Sequence, residues 1–300
     1  MSNFDIKFTL SYSGAESEQH EIDFYDVSQA LIGFQRTIAL TTHLVLNDEI
    51  ITQSPSLKGA QIFALPAEEG SWKMTAGVVL AGAAYIGNTQ NNTPLGHLVY
   101  SVYDYIVSES LGFHVDYNKS LGQLYEEHKK NDINLPVVRP AQLDSLMEKC
   151  TTAITEIHRP IYKNKTANEA TITKSINGHE IPIGPKFSFE TFQYLVEEFT
   201  EDEVDTISGY ISSYNSNTFK GRIYVPEEER PVSFELSKFC RDENTIKLVV
   251  NSLSDNALRN YGANESGLIF CRVQKTKSKS GHLKKYTILS VSVVPFPPTQ

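Results

Sequence analysis

The sequence predicts an α+β fold: an antiparallel sheet with helices over residues 1–200, then a small β-barrel over 201–300. Three observations point there. Residues 4–80 hold alternating apolar stretches around one long stretch of helical period. Residues 93–162 carry helical stretches with recognisable starts and stops. From residue 206 the texture changes to short apolar runs separated by turn residues at regular spacing. A chain of 300 residues also exceeds the usual size of one compact domain.

In the first module, Phe4, Ile6, Phe8, Leu10 and Tyr12 alternate with polar neighbours, the pattern of a half-buried strand. "SGAESEQ" (13–19) reads as a turn and "HEIDFY" (20–25) as a returning strand. Val27, Ala30, Leu31, Phe34 and Ile38 then recur at helical spacing, with Asp26 as the expected N-cap. "LKGAQIFALP" (57–66) and "GSWKMTAGVV" (70–79) read as two strands joined at 67–70. The module is therefore predicted as β-β-α-β-β, a sheet with one face packed on a helix. A helical run follows. Thr93 caps it, Pro94 takes the first helical position and Gly112 ends it. "NKSLGQLYEEHKKN" (118–131) is amphipathic, and 139–162 reads as a long helix ending near Pro160. Asn177-Gly178 between apolar runs is a hairpin signal. The stretch 187–199 fits a short strand or a helix, and "TEDEVDT" (200–206) is the candidate linker.

Beyond it, 206–215, 219–225, 230–237 and 244–253 read as short strands, and 254–262 as one or two helical turns. Two longer strands, 267–277 and 284–294, turn at Ser280-Gly281. Five to six strands with one short helix suggest an OB-like or SH3-like barrel. The tail "PFPPTQ" (295–300) cannot continue a sheet and is expected to fray.

Several of these stretches resemble a group of uncharacterised bacterial and prophage-encoded proteins. The resemblance rests on "HEIDFYDVSQALIGF" (20–34), "GSWKM" (70–74), "GRIYV" (221–225), "RPVSFEL" (230–236) and a final "G…KKY" strand (281–286). It implies a two-domain accessory protein, sometimes found near phage-conflict genes, and it supplies no catalytic residue.

Composition is ordinary for a globular chain, with a net charge of -9. A field of that sign repels polyanions, so contact with nucleic acid would need a local patch. Residues 1–110 hold 4 basic and 12 acidic side chains, and residues 201–300 hold 13 and 12. Such asymmetry suits two modules with different partners. Cys150, Cys240 and Cys271 form no CxxC or Cys/His cluster, which argues for a reducing, cytoplasmic setting without structural zinc. The start "MSNFDIKFTL" lacks the basic and apolar regions of a signal peptide. The apolar run 74–87 is too short to span a membrane, so membrane insertion is not expected.

No motif announces a catalytic chemistry or a cofactor. There is no phosphate loop, no HExxH and no GxSxG. The glycines of 77–87 read as close packing. Glu126, Glu127 and His128 are adjacent on a polar helix and point in different directions. Cys150 lies on an amphipathic helix as a structural thiol. The acid pairs Glu68-Glu69, Glu197-Glu198, Asp202-Glu203 and Glu227–Glu229 read as surface charge. His158, Arg159, Lys163 and Lys165 would line an anion site or simply face a helix dipole.

The strongest local exception to the acidic chain is "VQKTKSKSGHLKKY" (273–286). Lys275, Lys277 and Lys279 alternate and so project to one face of an extended strand. Lys284 and Lys285 answer from the return strand, with Arg272 before the stretch and His282 at its turn. These seven are the candidate contacts for an anionic partner, with Tyr286, Tyr210, Tyr214 and Phe219 as possible stacking platforms. The competing reading is that lysines protect a strand edge from aggregation. Val78, Val79, Leu80, Tyr85, Tyr100 and Tyr103 are the candidate self-association residues, since they exceed what one small domain easily hides. The expected function is a non-enzymatic binding or assembly protein of bacterial or phage origin, with a protein partner or a second copy. The alternative is nucleic-acid binding through the basic hairpin.

Overall fold

The computed structural model describes residues 4, 6–51, 57–65, 72–80, 94–130, 135–176, 179–258, 267–278 and 283–297. They form an α+β unit ending at Val196 and a barrel unit beginning at Glu197. The expected turns at 67–70, Asn177-Gly178 and Ser280-Gly281, the Thr93 cap, the pair Glu68-Glu69 and residues 298–300 lie outside the described residues.

In the first unit β1 (Ile6–Ser13) is the centre of a five-stranded antiparallel sheet. β2 (Ala60–Leu65) and β3 (Lys73–Leu80) lie on one side, β4 (Glu169–Ile176) and β5 (His179–Pro182) on the other, in the order β2-β3-β1-β4-β5. The alternation in β1 is realised as expected: Ile6, Phe8, Leu10 and Tyr12 are fully buried. On the opposite face the Thr9 and Thr75 hydroxyls bond each other across the β1–β3 pair at 2.9 Å. The long helices α1 (Phe24–Asn47), α2 (Pro94–Ser110) and α4 (Pro140–Ile157) pack together. The short α3 (Gln123–Lys130), α5 (Arg159–Tyr162) and α6 (Phe189–Val196) complete the unit. Tyr12 ties sheet to helices by donating its hydroxyl to the Ile157 carbonyl of α4 (2.6 Å).

Two expectations need correction here. "HEIDFY" is not a strand: α1 begins at Phe24, because Asp23 is the N-cap and its carboxylate accepts the Asp26 N–H at 2.9 Å. Asp26 is instead buried in the helix, paired with Arg159. The sheet is therefore completed by the 169–182 hairpin and not by a second N-terminal strand. The ambiguous 187–199 is both things, α6 and then β6 (Glu198–Thr200).

The barrel strands are β7 (Asp205–Asn215), β8 (Lys220–Val225), β9 (Arg230–Leu236), β10 (Ile269–Ser278) and β11 (Leu283–Ser292). They close in the order β7-β8-β9-β11-β10, with β10 returning to β7. All pairings are antiparallel except β9–β11. The order first-second-third-fifth-fourth, with a helix between third and fourth strands, is that of an OB-type barrel. Inward residues, among them Ile211, Ile223, Val232, Phe234, Cys271, Val273, Tyr286 and Ile288, fill the core. Close coiling needs glycine at Gly221, where a Cβ would lie 2.1 Å from the Ser213 carbonyl oxygen.

The run 244–253 is not a strand but part of one helix, α7 (Glu243–Leu258). Thr245, Val249 and Ser252 are buried at helical spacing, and Asp242 caps the start by accepting the Asn244 and Thr245 N–H groups (3.0 and 3.1 Å). Ile211 stands opposite Ile223 of β8, but the β7–β10 pairing ends at Gly209, so no strand among the described residues covers the Ile211 backbone on that other side. Helix α7 supplies its partners. Ser252 Oγ accepts the Ile211 N–H (3.0 Å), and Asn256 Nδ2 donates to the Ile211 carbonyl (2.9 Å). The tail is anchored as far as Phe296, whose ring lies 4.9 Å from the Arg272 guanidinium.

Candidate functional site

The basic stretch forms the end of β10 and the start of β11, and the structure brings acids to its lysines. β6 pairs with the end of β10, Thr200 opposite Thr276, Phe199 opposite Lys277 and Glu198 opposite Ser278. The Glu201 N–H extends this pairing to the Lys275 carbonyl (2.9 Å). So the expected linker, 200–206, is held in the barrel sheet at both ends, Thr200 in β6 and Asp205 and Thr206 in β7. The carboxylates of Glu198, Glu201 and Asp205 take four of the lysines. Lys275 Nζ meets Asp205 at 2.6 Å, Lys277 Nζ meets Glu201 at 2.5 Å, and Lys284 and Lys285 both reach Glu198 at 3.2 Å. The hydrogen bond from Lys275 holds the Asp205 carboxyl below its ordinary value, and the same bond raises Lys275. Burial pushes the Glu198 carboxyl up, but Lys285 and Lys284 together outweigh it and hold it low.

Four of the seven predicted anionic-partner contacts are thus occupied by this chain's own carboxylates. Arg272 lies over the Phe296 ring, and Lys279 and His282 lie outside the described residues. The expected stacking platforms also move. Tyr286 is buried in the barrel core, and Tyr214 stacks on Phe234. Phe219 is covered by the Arg241 guanidinium at 4.6 Å. Tyr210 stands opposite Tyr224 across β7–β8, and Tyr224 is exposed. The signal for the pairing was present in the sequence, since 198–205 is acidic, but strand pairing across about 75 residues is not written in local pattern.

The self-association candidates are corrected by burial. Val78, Leu80, Tyr100 and Tyr103 belong to the core of the first unit. Phe8 packs on both tyrosine rings, at 5.0 and 4.8 Å between centroids. The Tyr100 hydroxyl accepts the Lys7 N–H (2.8 Å) and donates to the Lys7 carbonyl (2.9 Å), and the Tyr103 hydroxyl bonds Thr37 (3.1 Å). Val79 is half-buried, and Tyr85 lies outside the described residues. The unit hides this apolar surface by packing α2 on the sheet. Apolar exposure appears elsewhere, on α1: Phe24, Tyr25 and Ile32 are 84%, 62% and 59% exposed. They lie off the buried stripe Val27–Ala30–Phe34–Ile38, an offset a helical wheel of the sequence would have shown.

Of the remaining polar candidates, Arg159 and His158 are held within the first unit. Arg159 donates to Asp26 (2.9 Å) and Glu156 (3.2 Å) and lies 5.0 Å from the Tyr25 ring centre, so it serves no open anion site. His158 is buried between the Ile154 carbonyl and the Thr191 hydroxyl. Burial pushes Cys150 and Cys271 up to about 12 and raises Cys240, which leaves three inert thiols. Among the described residues no group of three or more His, Cys, Asp or Glu side chains is placed to hold a metal ion. No helix among them is long and apolar enough to cross a membrane.

No curated protein and no solved structure matches the chain. One family match falls within each unit. Residues 203–292 match a family of unknown function (DUF7947). Residues 8–195, well over half of the chain, match a domain of unknown function (DUF7946), and the chain belongs to that family.

Proposed function

We propose that the chain is a non-enzymatic binding or assembly protein that works through protein–protein contacts, with α1 as the contact surface. The observation that carries this reading is the outward stripe of Phe24, Tyr25 and Ile32. Large apolar side chains grouped on one helix face cost solvation unless something covers them. A bacterial or prophage origin and a role in phage–host conflict draw only on the resemblance of the sequence. The test is the double variant Phe24→Ser, Ile32→Ser. Neither side chain supports the core, so folding is expected to survive. Light scattering and pull-down with the parent should show a second copy or a partner that the variant loses. A parent that is strictly monomeric and captures nothing overturns the reading.

The alternative, nucleic-acid binding through the hairpin, is favoured by one observation. OB-type barrels use the loop between fourth and fifth strands for oligonucleotides, and that loop here is the β10–β11 connection. Against it stand the carboxylates already on the lysines. Salt-sensitive binding of single strands by the parent would restore it.

A further inference from the structure

The acidic segment lies along the basic hairpin as a strap. β6 is three residues long and exposed at every one of them. The Thr200 hydroxyl bonds the fully buried Thr276 hydroxyl at 2.9 Å. The rest of the hold is a short backbone ladder and the lysine–carboxylate pairs. Those pairs are partly in solvent, where each adds about 0–1 kcal/mol and is screened by salt. The barrel itself closes without the strap, through β7–β10 and β10–β11. The strap therefore combines an extended backbone, two carboxylates matched to three lysines, and a weak attachment to an otherwise finished fold.

We propose that residues 198–204 are an autoinhibitory strap that, together with the Asp205 carboxylate at the start of β7, occupies in cis a latent polyanion-binding face of the β10–β11 hairpin, and that single-stranded nucleic acid takes this face when the strap leaves. The carboxylates of Glu198, Glu201 and Asp205 stand where phosphates would stand. Peeling the strap away frees Lys277, Lys284 and Lys285 together, while Lys275 stays with Asp205 at the start of β7 until that carboxylate is removed. This inference rests on the nucleic-acid reading of the hairpin and is independent of the α1 surface.

The test uses the full chain with Glu198→Gln, Glu201→Gln and Asp205→Asn, titrated with a fluorescein-labelled oligothymidylate by fluorescence anisotropy at low salt. The triple variant should bind at least tenfold more tightly than the parent. Its affinity should fall with salt at a log–log slope of about -3, as four phosphate contacts on a single strand require. Adding Lys275→Gln, Lys277→Gln, Lys284→Gln and Lys285→Gln should abolish the gain. A charge-matched control, Glu16→Gln, Glu18→Gln and Glu21→Gln, removes the same number of negative charges elsewhere and should gain nothing. The single variant Glu198→Gln frees two lysines with least disturbance and should show about a threefold gain even if the triple variant folds poorly. The inference is overturned if folded Glu198→Gln and the triple variant bind no better than the parent, if the control gains as much, or if polyglutamate binds the opened hairpin and the oligothymidylate does not. None of these readings involves Phe24 or Ile32, so failure here leaves the α1 reading standing, and failure there leaves this one.

Discussion

His158 shows how a single residue can look functional and be structural. Its Nδ1 faces the Ile154 carbonyl at 2.8 Å, and a carbonyl can only accept, so Nδ1 carries the proton. Nε2 is then the acceptor for the Thr191 hydroxyl at 2.9 Å. The neutral ring is satisfied on both nitrogens, and burial pushes its pKa down to about 4. The folded value lies below the ordinary value of 6.5, so the unfolded chain takes up a proton that the folded chain refuses. Stability is full above about pH 6.5 and is lost as the pH falls towards about 4, by an amount on the order of 3 kcal/mol. Urea midpoints measured from pH 7 to pH 4.5 should fall steeply for the parent and less steeply for His158→Gln. Equal slopes would show that the imidazole is not what titrates. Gly33 is the second instructive residue. A Cβ there would lie 2.3 Å from the Ala153 carbonyl oxygen, where α1 crosses α4. Backbone cannot yield as a side chain does, so Gly33→Ala should cost about 1–3 kcal/mol in urea unfolding, although alanine is the better helix former.

Elements fail or succeed on their ends. The run 244–253 contains "IKLVV", rich in β-branched residues, and local propensity favours a strand. Asp242 decides otherwise. Its carboxylate accepts two N–H groups of the first turn and the Thr245 hydroxyl, and the buried positions then follow a helical period. Asp242→Ala should therefore destabilise the barrel unit by about 1 kcal/mol, read as a lower urea midpoint, while Asp242→Asn should cost only part of that. The same logic corrects the start of α1, where Asp23 and not Asp26 is the cap. In both places the capping residue was visible in the sequence, but choosing it required knowing which neighbouring residues become buried. β6 is the opposite case. Three exposed residues have no pattern of their own, and the strand exists because β10 extends beyond β7 and offers it an edge.

At the scale of the whole molecule, each unit has its own hydrophobic core. A fragment spanning 197–300 should accordingly keep a cooperative urea transition, since the barrel closes within it. A fragment that unfolds without cooperativity would show that the barrel depends on the first unit. The sequence by itself determined the α+β class, the change to barrel texture near residue 206 and the strands of period two, because each follows from side chains a few residues apart. Only the tertiary structure decided the surface. Tyr100 and Tyr103 read as surplus apolar residues until α2 lay against Phe8, and the hairpin lysines read as an open patch until β6 brought Glu198, Glu201 and Asp205 to them. The physical reason is the same in both cases. Periodicity sets which face of an element a side chain points to, whereas burial and charge neutralisation depend on which distant element comes to lie against that face.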